Sequence, residues 1–325
     1  MKLINLKIKQ FNIQKKKLKK NILVVGSGRW AKISIKEISK NFKNIKIYCY
    51  TNHTAQLLSW CKNKKIKIFF LKKIEDLKKY NISHSLILNK NEDHFAITKK
   101  LLDMKIKTLV EKPIVEKLSE FKNLLKYSIK NKTNLLISLP FFYGFYFYYY
   151  KKFIHRKKIS LIKFFWTEPR NLATNGLIKK HQSIHYFLDT IYHVHSIASI
   201  FLNTKNLSFN IKNFKKKNIF TIQYHKIPVE VFCKRNSKNR RRELEILFKK
   251  DKKIKIDFSN NYLSRAFIYG QNEKVKVCPK RFQNLTLAYQ IFDFLNVNKY
   301  TQIMFNDIRN LKSFLITKFK MQKHL

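Results

Sequence analysis

Asn21-Ile22-Leu23-Val24-Val25-Gly26-Ser27-Gly28-Arg29-Trp30-Ala31 is the stretch whose reading decides the fold of this chain of 325 residues. Its first residues form an apolar run that stops at a glycine, the pattern of a strand buried on both faces of a parallel sheet. Ala31 to Asn41 then shows helical spacing, with Ile35 and Ile38 on one face and lysines on the other. Between the two lies G-x-G-x-x-A. Gly26 permits a tight turn, Gly28 lets the backbone approach a pyrophosphate, and Ala31 lets the helix pack closely on the strand. A pair of glycines at this spacing is a weak signal in an ordinary protein. This chain has only 5 glycines, and chance supplies about 0.08 such pairs in a sequence of its composition. The pair also falls at the first strand-to-helix turn, where helix N-terminal amides can hold a phosphate.

Working outward, strands are predicted at Ile45 to Tyr50, Ile66 to Leu71, Ser85 to Leu88, Thr108 to Val110 and Asn134 to Leu139. Helical stretches such as His94 to Met104 and Leu118 to Asn131 separate them, so the first part reads as a doubly wound parallel sheet. Pro140 ends that regularity and sets the expected boundary. Beyond it strands dominate: Leu161 to Trp166, Leu207 to Asn210, Phe220 to His225, Val229 to Lys234, Glu243 to Phe248 and Ile254 to Phe258. Strands joined by charged turns predict an open, mainly antiparallel sheet. Helices near Leu285 to Phe294 and Asp307 to Phe319 close the chain. The fold class is therefore α/β, with a basic extension over 1–19, a nucleotide-binding domain over 20–140 and a second α/β domain over 141–325. The aromatic run Phe141 to Tyr150 is read as packing between the domains.

Lys and Arg number 70 against 19 Asp and Glu, a net charge of +51. Such an excess ordinarily points to nucleic acid or an acidic membrane surface. Composition argues for another cause. The chain has 60 Lys but 10 Arg, together with 39 Ile, 30 Asn and 28 Phe, and only 5 Gly and 5 Pro. The abundant residues have A/T-rich codons and the scarce ones G/C-rich codons, so an AT-rich genome explains all the departures together. Lysine is spread along nearly every segment, whereas nucleic-acid readers concentrate basic residues and favour the Arg fork. No specific nucleic-acid partner is expected. Cys49, Cys61, Cys233 and Cys278 lack C-x-x-C spacing and read as reduced, mostly buried thiols of a cytoplasmic protein. No apolar run reaches the roughly 18 residues of a membrane span, so no membrane partner is expected either.

The second strand ends at Tyr50-Thr51-Asn52-His53, without the acidic residue that usually holds the adenosine ribose of NAD. A carboxylate there would repel the extra phosphate of NADP. Its absence favours NADP over NAD, with Thr51, Asn52 and Arg29 as phosphate contacts. Glu111-Lys112-Pro113 directly follows the strand Thr108 to Val110. Ligands of open α/β sheets sit outside the carboxyl ends of the strands, which puts Lys112 in that crevice. The proline can hold a rigid peptide, cis in some proteins.

Taken together, Gly26 to Ala31, His94, Glu111 to Pro113, and Asp189 with His193 in a D-x-x-x-H pattern make the chain resemble the glucose-fructose oxidoreductase and inositol dehydrogenase (Gfo/Idh/MocA) family. The resemblance spans roughly 20–320, since Arg242 to Phe258 also looks like the paired strands before the family's C-terminal helices. It implies an N-terminal Rossmann domain and an enzyme: an NAD(P)-dependent oxidoreductase moving hydride between a nicotinamide and a hydroxyl or carbonyl carbon of a sugar-like molecule. It implies cofactor contacts at Gly26, Ser27, Gly28, Arg29, Trp30, Ala31, Thr51, Asn52, Asn89, His94, Glu111, Lys112 and Pro113. The catalytic residues it implies are Lys112, Asp189 and His193.

Chemistry needs such a set, because a proton must move at the oxygen as hydride moves at the carbon. Asp189 and His193 are spaced i, i+4 and share a helix face. Trp166, Arg170 and Tyr192 are expected near the substrate. The chain departs from the family pattern at Asn89 and Lys90, Ile184 and His185, Ile191 and Ser196, which leaves the substrate open. Imine reduction, in the manner of thiazolinyl imine reductases, and non-catalytic dinucleotide binding are the alternatives.

His181, His185, Asp189 and His193 recur every fourth residue, but on one helix the outermost pair would stand about 18 Å apart. No metal site is expected. The exposed face of the second sheet is the expected homo-oligomer interface.

Overall fold

The computed structural model describes residues 18–154, 159–169, 186–202, 209–211, 219–224, 226–249, 253–259, 265–269, 274–277 and 286–296. They divide into two compact units. The described part of one unit is 18–143 with 286–296, and that of the other lies between Gly144 and 277.

The first unit is built on six parallel strands: β1 (Lys20–Val25), β2 (Ile45–Tyr50), β3 (Phe69–Phe70), β4 (Ile82–Ile87), β5 (Lys107–Val110) and β6 (Leu135–Ile137). Their order is β3-β2-β1-β4-β5-β6, the arrangement of a Rossmann sheet. Ile22, Leu23, Val24 and Val25 of β1 are all buried, as a central strand covered on both faces requires. Helix α1 (Arg29–Asn41) buries Ala31, Ser34, Ile35 and Ile38 and turns its lysines outward. Helices α2 (Thr54–Asn63), α3 (Asn91–Asp103) and α4 (Leu118–Lys130) complete the unit's crossovers. The strand expected over 66–71 shrinks to two residues, at the edge of the sheet. Lysines flank it, and charged, short edges are how sheets avoid pairing with another chain.

Strand order reverses between β1 and β4, so the crevice for a ligand opens at their carboxyl ends. There the Leu88 amide donates to the Val25 carbonyl at 2.9 Å. Gly26 has φ +108, and a Cβ built on it would lie 2.9 Å from the backbone of Leu88 and Asn89. Only glycine fits this approach.

Past Gly144 the second unit starts with α5 (Phe145–Lys151), which buries Phe145, Tyr146, Phe147 and Tyr150 of the aromatic run. Phe147 packs edge-on against Phe201 and Phe258, with centroids 6.0 and 5.1 Å away. An eight-stranded sheet follows, from β7 (Ile159–Pro169), β8 (Phe209–Ile211), β9 (Ile219–Tyr224), β10 (Ile227–Ser237), β11 (Arg241–Phe248), β12 (Lys253–Asp257), β13 (Arg265–Tyr269) and β14 (Lys274–Val277), in the order β14-β13-β12-β11-β7-β10-β9-β8. Among the described strands of this sheet, only β7 and β10 run parallel. Alternation decides its faces: Ile162, Phe164 and Trp166 point inward with Val229, Val231, Leu244 and Ile246. The other face carries the Lys163–Glu230 pair at 3.4 Å and Glu243 between Arg241 and Lys255. Helix α6 (Tyr186–Leu202) buries Phe187, Ile191, Val194, Ile197, Ala198 and Phe201. Its Thr190, Ser196 and Ser199 hydroxyls donate to carbonyls one turn back, which satisfies them inside an apolar helix.

The last described helix, α7 (Thr286–Asn296), departs from the expected division of the chain. It packs in the first unit, not in a continuous 141–325 domain. Tyr143 donates to Asp293 at 2.9 Å, Ser138 to Gln290 at 3.3 Å, and Lys20 Nζ reaches the Leu295 carbonyl. Phe294 meets the His84 ring edge-on at 5.2 Å. The helix expected over 307–319 lies outside the described residues.

Two outcomes follow from these contacts. Gly26→Ala forces both a disfavoured φ and a backbone clash, so it should lower unfolding stability by about 2 kcal/mol or more in a urea titration. Burial, then Lys20 and Lys107, push His84 down to about 3, and burial pushes His195 down to about 3. An unfolded histidine titrates near 6.5, so below that pH the unfolded chain takes up protons that the folded chain refuses. Stability should therefore fall as pH drops from about 6.5 towards 3, by on the order of 2 kcal/mol per histidine at pH 5. Thermal melts between pH 7.5 and 5 check this, and His84→Phe should flatten part of the slope.

Candidate functional site

In the first unit the site starts at Gly26, whose amide donates to the Tyr50 carbonyl at 3.0 Å and ties the end of β1 to the end of β2. Gly28 is the N-cap of α1, with extended backbone and no side-chain cap, and the first turn carries no acid. The leading amides of a helix have no acceptor within it and carry its positive dipole end. A Cβ on Gly28 would meet nothing within 4 Å, so the space above this turn is open. The geometry fits a pyrophosphate. Ser27 is half-buried, Arg29 is exposed, Trp30 is 40% exposed, and Ala31 is fully buried against the sheet.

Thr51 and Asn52 follow β2, and the Thr51 hydroxyl accepts the His53 amide at 3.2 Å. Residues 50–54 contain no carboxylate to oppose a ribose phosphate. Asn89 stands where Gly26 touches the β4 loop. Its Nδ2 reaches Asp93 at 3.4 Å, and its buried Oδ1 has no hydrogen-bond partner among the described residues.

The Glu111 amide donates to the Ile87 carbonyl, Lys112 is half-buried, and the Lys112–Pro113 peptide is cis. His94 is fully buried, with Nδ1 2.9 Å from the Pro113 carbonyl and Nε2 3.3 Å from the Asn89 carbonyl. Burial lowers its pKa. A neutral imidazole has one N–H to give, and the shorter contact assigns it to Pro113. The ring, expected at the cofactor, here holds the loop after β4 against the loop after β5.

The second unit places Asp189 and His193 on one face of α6, both half-buried. The His193 ring lies flat on Trp166, centroids 5.0 Å apart at 16°. On Trp166 the Arg242 guanidinium sits 3.9 Å from the ring centre. Arg242 donates from Nη1 to the Thr167 carbonyl at 2.6 Å and pairs through Nη2 with Glu168. Burial lowers its pKa, while Glu168 opposes that shift.

Trp166 and Tyr192, expected at the substrate, are 4% and 1% exposed. Burial, then Asp189, raises the pKa of the Tyr192 phenol. Arg170, His181 and His185 lie outside the described residues. Arg242 was not singled out from sequence. The signal was there: in Arg242-Glu243-Leu244-Glu245-Ile246 the arginine occupies an inward position of an alternating strand, and in the sheet it is the cross-strand partner of Trp166.

Comparison with known proteins agrees with this geometry. Residues 20–138 match the family model of the Gfo/Idh/MocA oxidoreductases, described as "Oxidoreductase family, NAD-binding Rossmann fold". The match covers the first unit's sheet, and over these residues the chain is similar to the nucleotide-binding domain of that family. The fold as a whole is similar to that of KijD10, a 3-ketoreductase from Actinomadura kijaniata solved with NADP and TDP-benzene, with TM-score 0.73 and 11% identity over 91% of this chain and 95% of that one. It is similar to a Gfo/Idh/MocA family oxidoreductase from Vibrio cholerae, with TM-score 0.69 and 12% identity over 93% and 97% of the two chains. Biliverdin reductase from Synechocystis, solved with biliverdin and NADP+, gives TM-score 0.66 and 15% identity over 93% and 98%. A search of curated proteins finds no sequence match.

The two glycines separate stability from binding. Gly28 has an ordinary φ of −69 and open space around it, and aspartate is a better N-cap than glycine, so Gly28→Asp should leave the urea midpoint at or slightly above that of wild type. If α1 holds a dinucleotide, a carboxylate at this helix start should nevertheless abolish the saturable binding of NADH and NADPH in a fluorescence titration.

Proposed function

We propose that the chain is an NAD(P)-dependent oxidoreductase acting on a hydroxyl or carbonyl carbon of a sugar-like small molecule, with NADP as the preferred cofactor. The observation that carries this reading is the open, uncapped start of α1 at Gly28 within a domain similar to the nucleotide-binding domain of the Gfo/Idh/MocA family. A bound nicotinamide supplies or accepts the hydride. Gly26 to Ala31 hold the pyrophosphate on the α1 amides, while Thr51, Asn52 and Arg29 face the ribose end without a carboxylate to repel a phosphate. Asn89, Glu111 and Pro113 shape the nicotinamide side of the crevice.

Lys112 places positive charge where an alkoxide develops. His193 holds or releases the proton at the substrate oxygen, and Asp189, one turn earlier on the same helix face, orients the imidazole. Such proton transfer contributes about 10² to 10⁴ in rate. The solved relatives named with NADP, one of them a 3-ketoreductase holding a TDP-bearing ligand, support both the cofactor preference and a sugar-like substrate. The reading also places the protein in the cytoplasm, consistent with free, buried Cys49, Cys61 and Cys233, and makes it a homo-oligomer through the exposed face of the second sheet.

Turnover of a panel of sugar and nucleotide-sugar alcohols and ketones, with NADPH or NADP, tests the assignment. Lys112→Ala and His193→Ala should each lower kcat by about 10² or more, with the cofactor dissociation constant within about threefold of wild type. Unchanged kcat in both variants would remove these residues from the reaction.

A further inference from the structure

We infer that Trp166 and Arg242 are positioning residues for His193: the imidazole, the indole and the guanidinium form one stack that fixes the plane of the reacting ring. The inference rests on the reaction proposed above and assigns a task to side chains that the chemistry itself does not require.

The stack is built, not incidental. β7 and β11 run antiparallel with Trp166 opposite Arg242, so both side chains leave the sheet on the same face. A guanidinium at an inward position, 3% exposed, is costly to bury unless it is paired and hydrogen-bonded. Here the Thr167 carbonyl and Glu168 hold its two ends, and its flat face is spent on the indole at 3.9 Å. Arginine stacks this way and lysine does not.

The same indole stacks with His193 at 5.0 Å and 16°. Phe258 closes one side of Trp166, with centroids 6.1 Å apart, so the indole has little freedom to tilt. An imidazole lying flat on such a plate loses stacking contact if its ring tilts, so the plate opposes rotation of the ring out of its plane. A general acid or base works only when its nitrogen is held within reach of the reacting oxygen.

The test separates shape from charge. Trp166→Phe keeps an aromatic plate, Trp166→Leu removes it, and Arg242→Met keeps bulk while removing the planar fork. Circular dichroism and thermal melts confirm which variants fold, and NADPH titration checks that the cofactor domain is untouched.

The expected result is a fall in kcat of tenfold or more for Trp166→Leu and Arg242→Met, with KM changed by less than about threefold, against a loss below about threefold for Trp166→Phe. Folded Trp166→Leu with wild-type kcat overturns the inference and leaves the reaction standing. If Trp166→Leu fails to fold, the decision passes to Arg242→Met and Trp166→Phe, and equal kcat values in those two overturn it. A wild-type chain that binds NADPH but turns over nothing in the panel removes the reaction reading, and this inference with it.

Discussion

The approach of Gly26 to the backbone of Leu88 and Asn89 is the constraint on which the first unit depends. At φ +108 and 2.9 Å from a would-be Cβ, the chain leaving β1 is pressed against the chain leaving β4 where the strand order reverses. That contact sets the direction in which α1 starts. It therefore sets where the leading amides of α1 collect, and it brings the Asn89 loop beside them. His94 extends the same arrangement from the β4 loop to the Lys112–Pro113 turn by donating from Nδ1 to the Pro113 carbonyl. One glycine and one buried imidazole thus hold three loops at the carboxyl edge of the sheet.

Much of this was legible in the sequence because it is local. The apolar run before Gly26, the helical spacing after Ala31 and the glycine pair between them are read within the 21 residues from Asn21 to Asn41, and the structure repeats them nearly residue for residue. The mainly antiparallel second sheet was legible for the same reason, since alternation of period two marks each strand by itself. The parallel pairing of β7 with β10 was not, because it joins segments about 70 residues apart through contacts that no local pattern encodes. The return of α7 to the first unit was hidden likewise: Ser138, Tyr143 and Lys20 meet Gln290, Asp293 and Leu295 across the whole length of the chain.

Site residues divided along the same line. Motif positions fixed by backbone geometry, Gly26, Gly28 and Ala31, stand where the sequence put them. His94 and Trp166 were chosen for their chemistry, and packing adds contacts that the sequence does not announce: His94 donates to the Pro113 carbonyl, and Trp166 packs against His193 and Arg242. Residue type announces what a side chain can do, but only packing decides which neighbour it does it to. Arg242 illustrates the converse, because among so many cations a single inward arginine stands out only once the strand alternation is followed.

The bare start of α1 carries a last consequence. A helix normally completes its first turn with its own side chains, through a Ser, Thr, Asp or Asn at the cap. Gly28 provides none, and the following turn offers no acid. Under the proposed function, that end of the helix is finished by the phosphates of the dinucleotide. Fraying of that turn and occupancy by a polyanion are then two sides of one equilibrium, so the order of the N-terminal turn follows the abundance of the ligand in the surrounding medium. On that reading, part of the fold would be held in the metabolite pool.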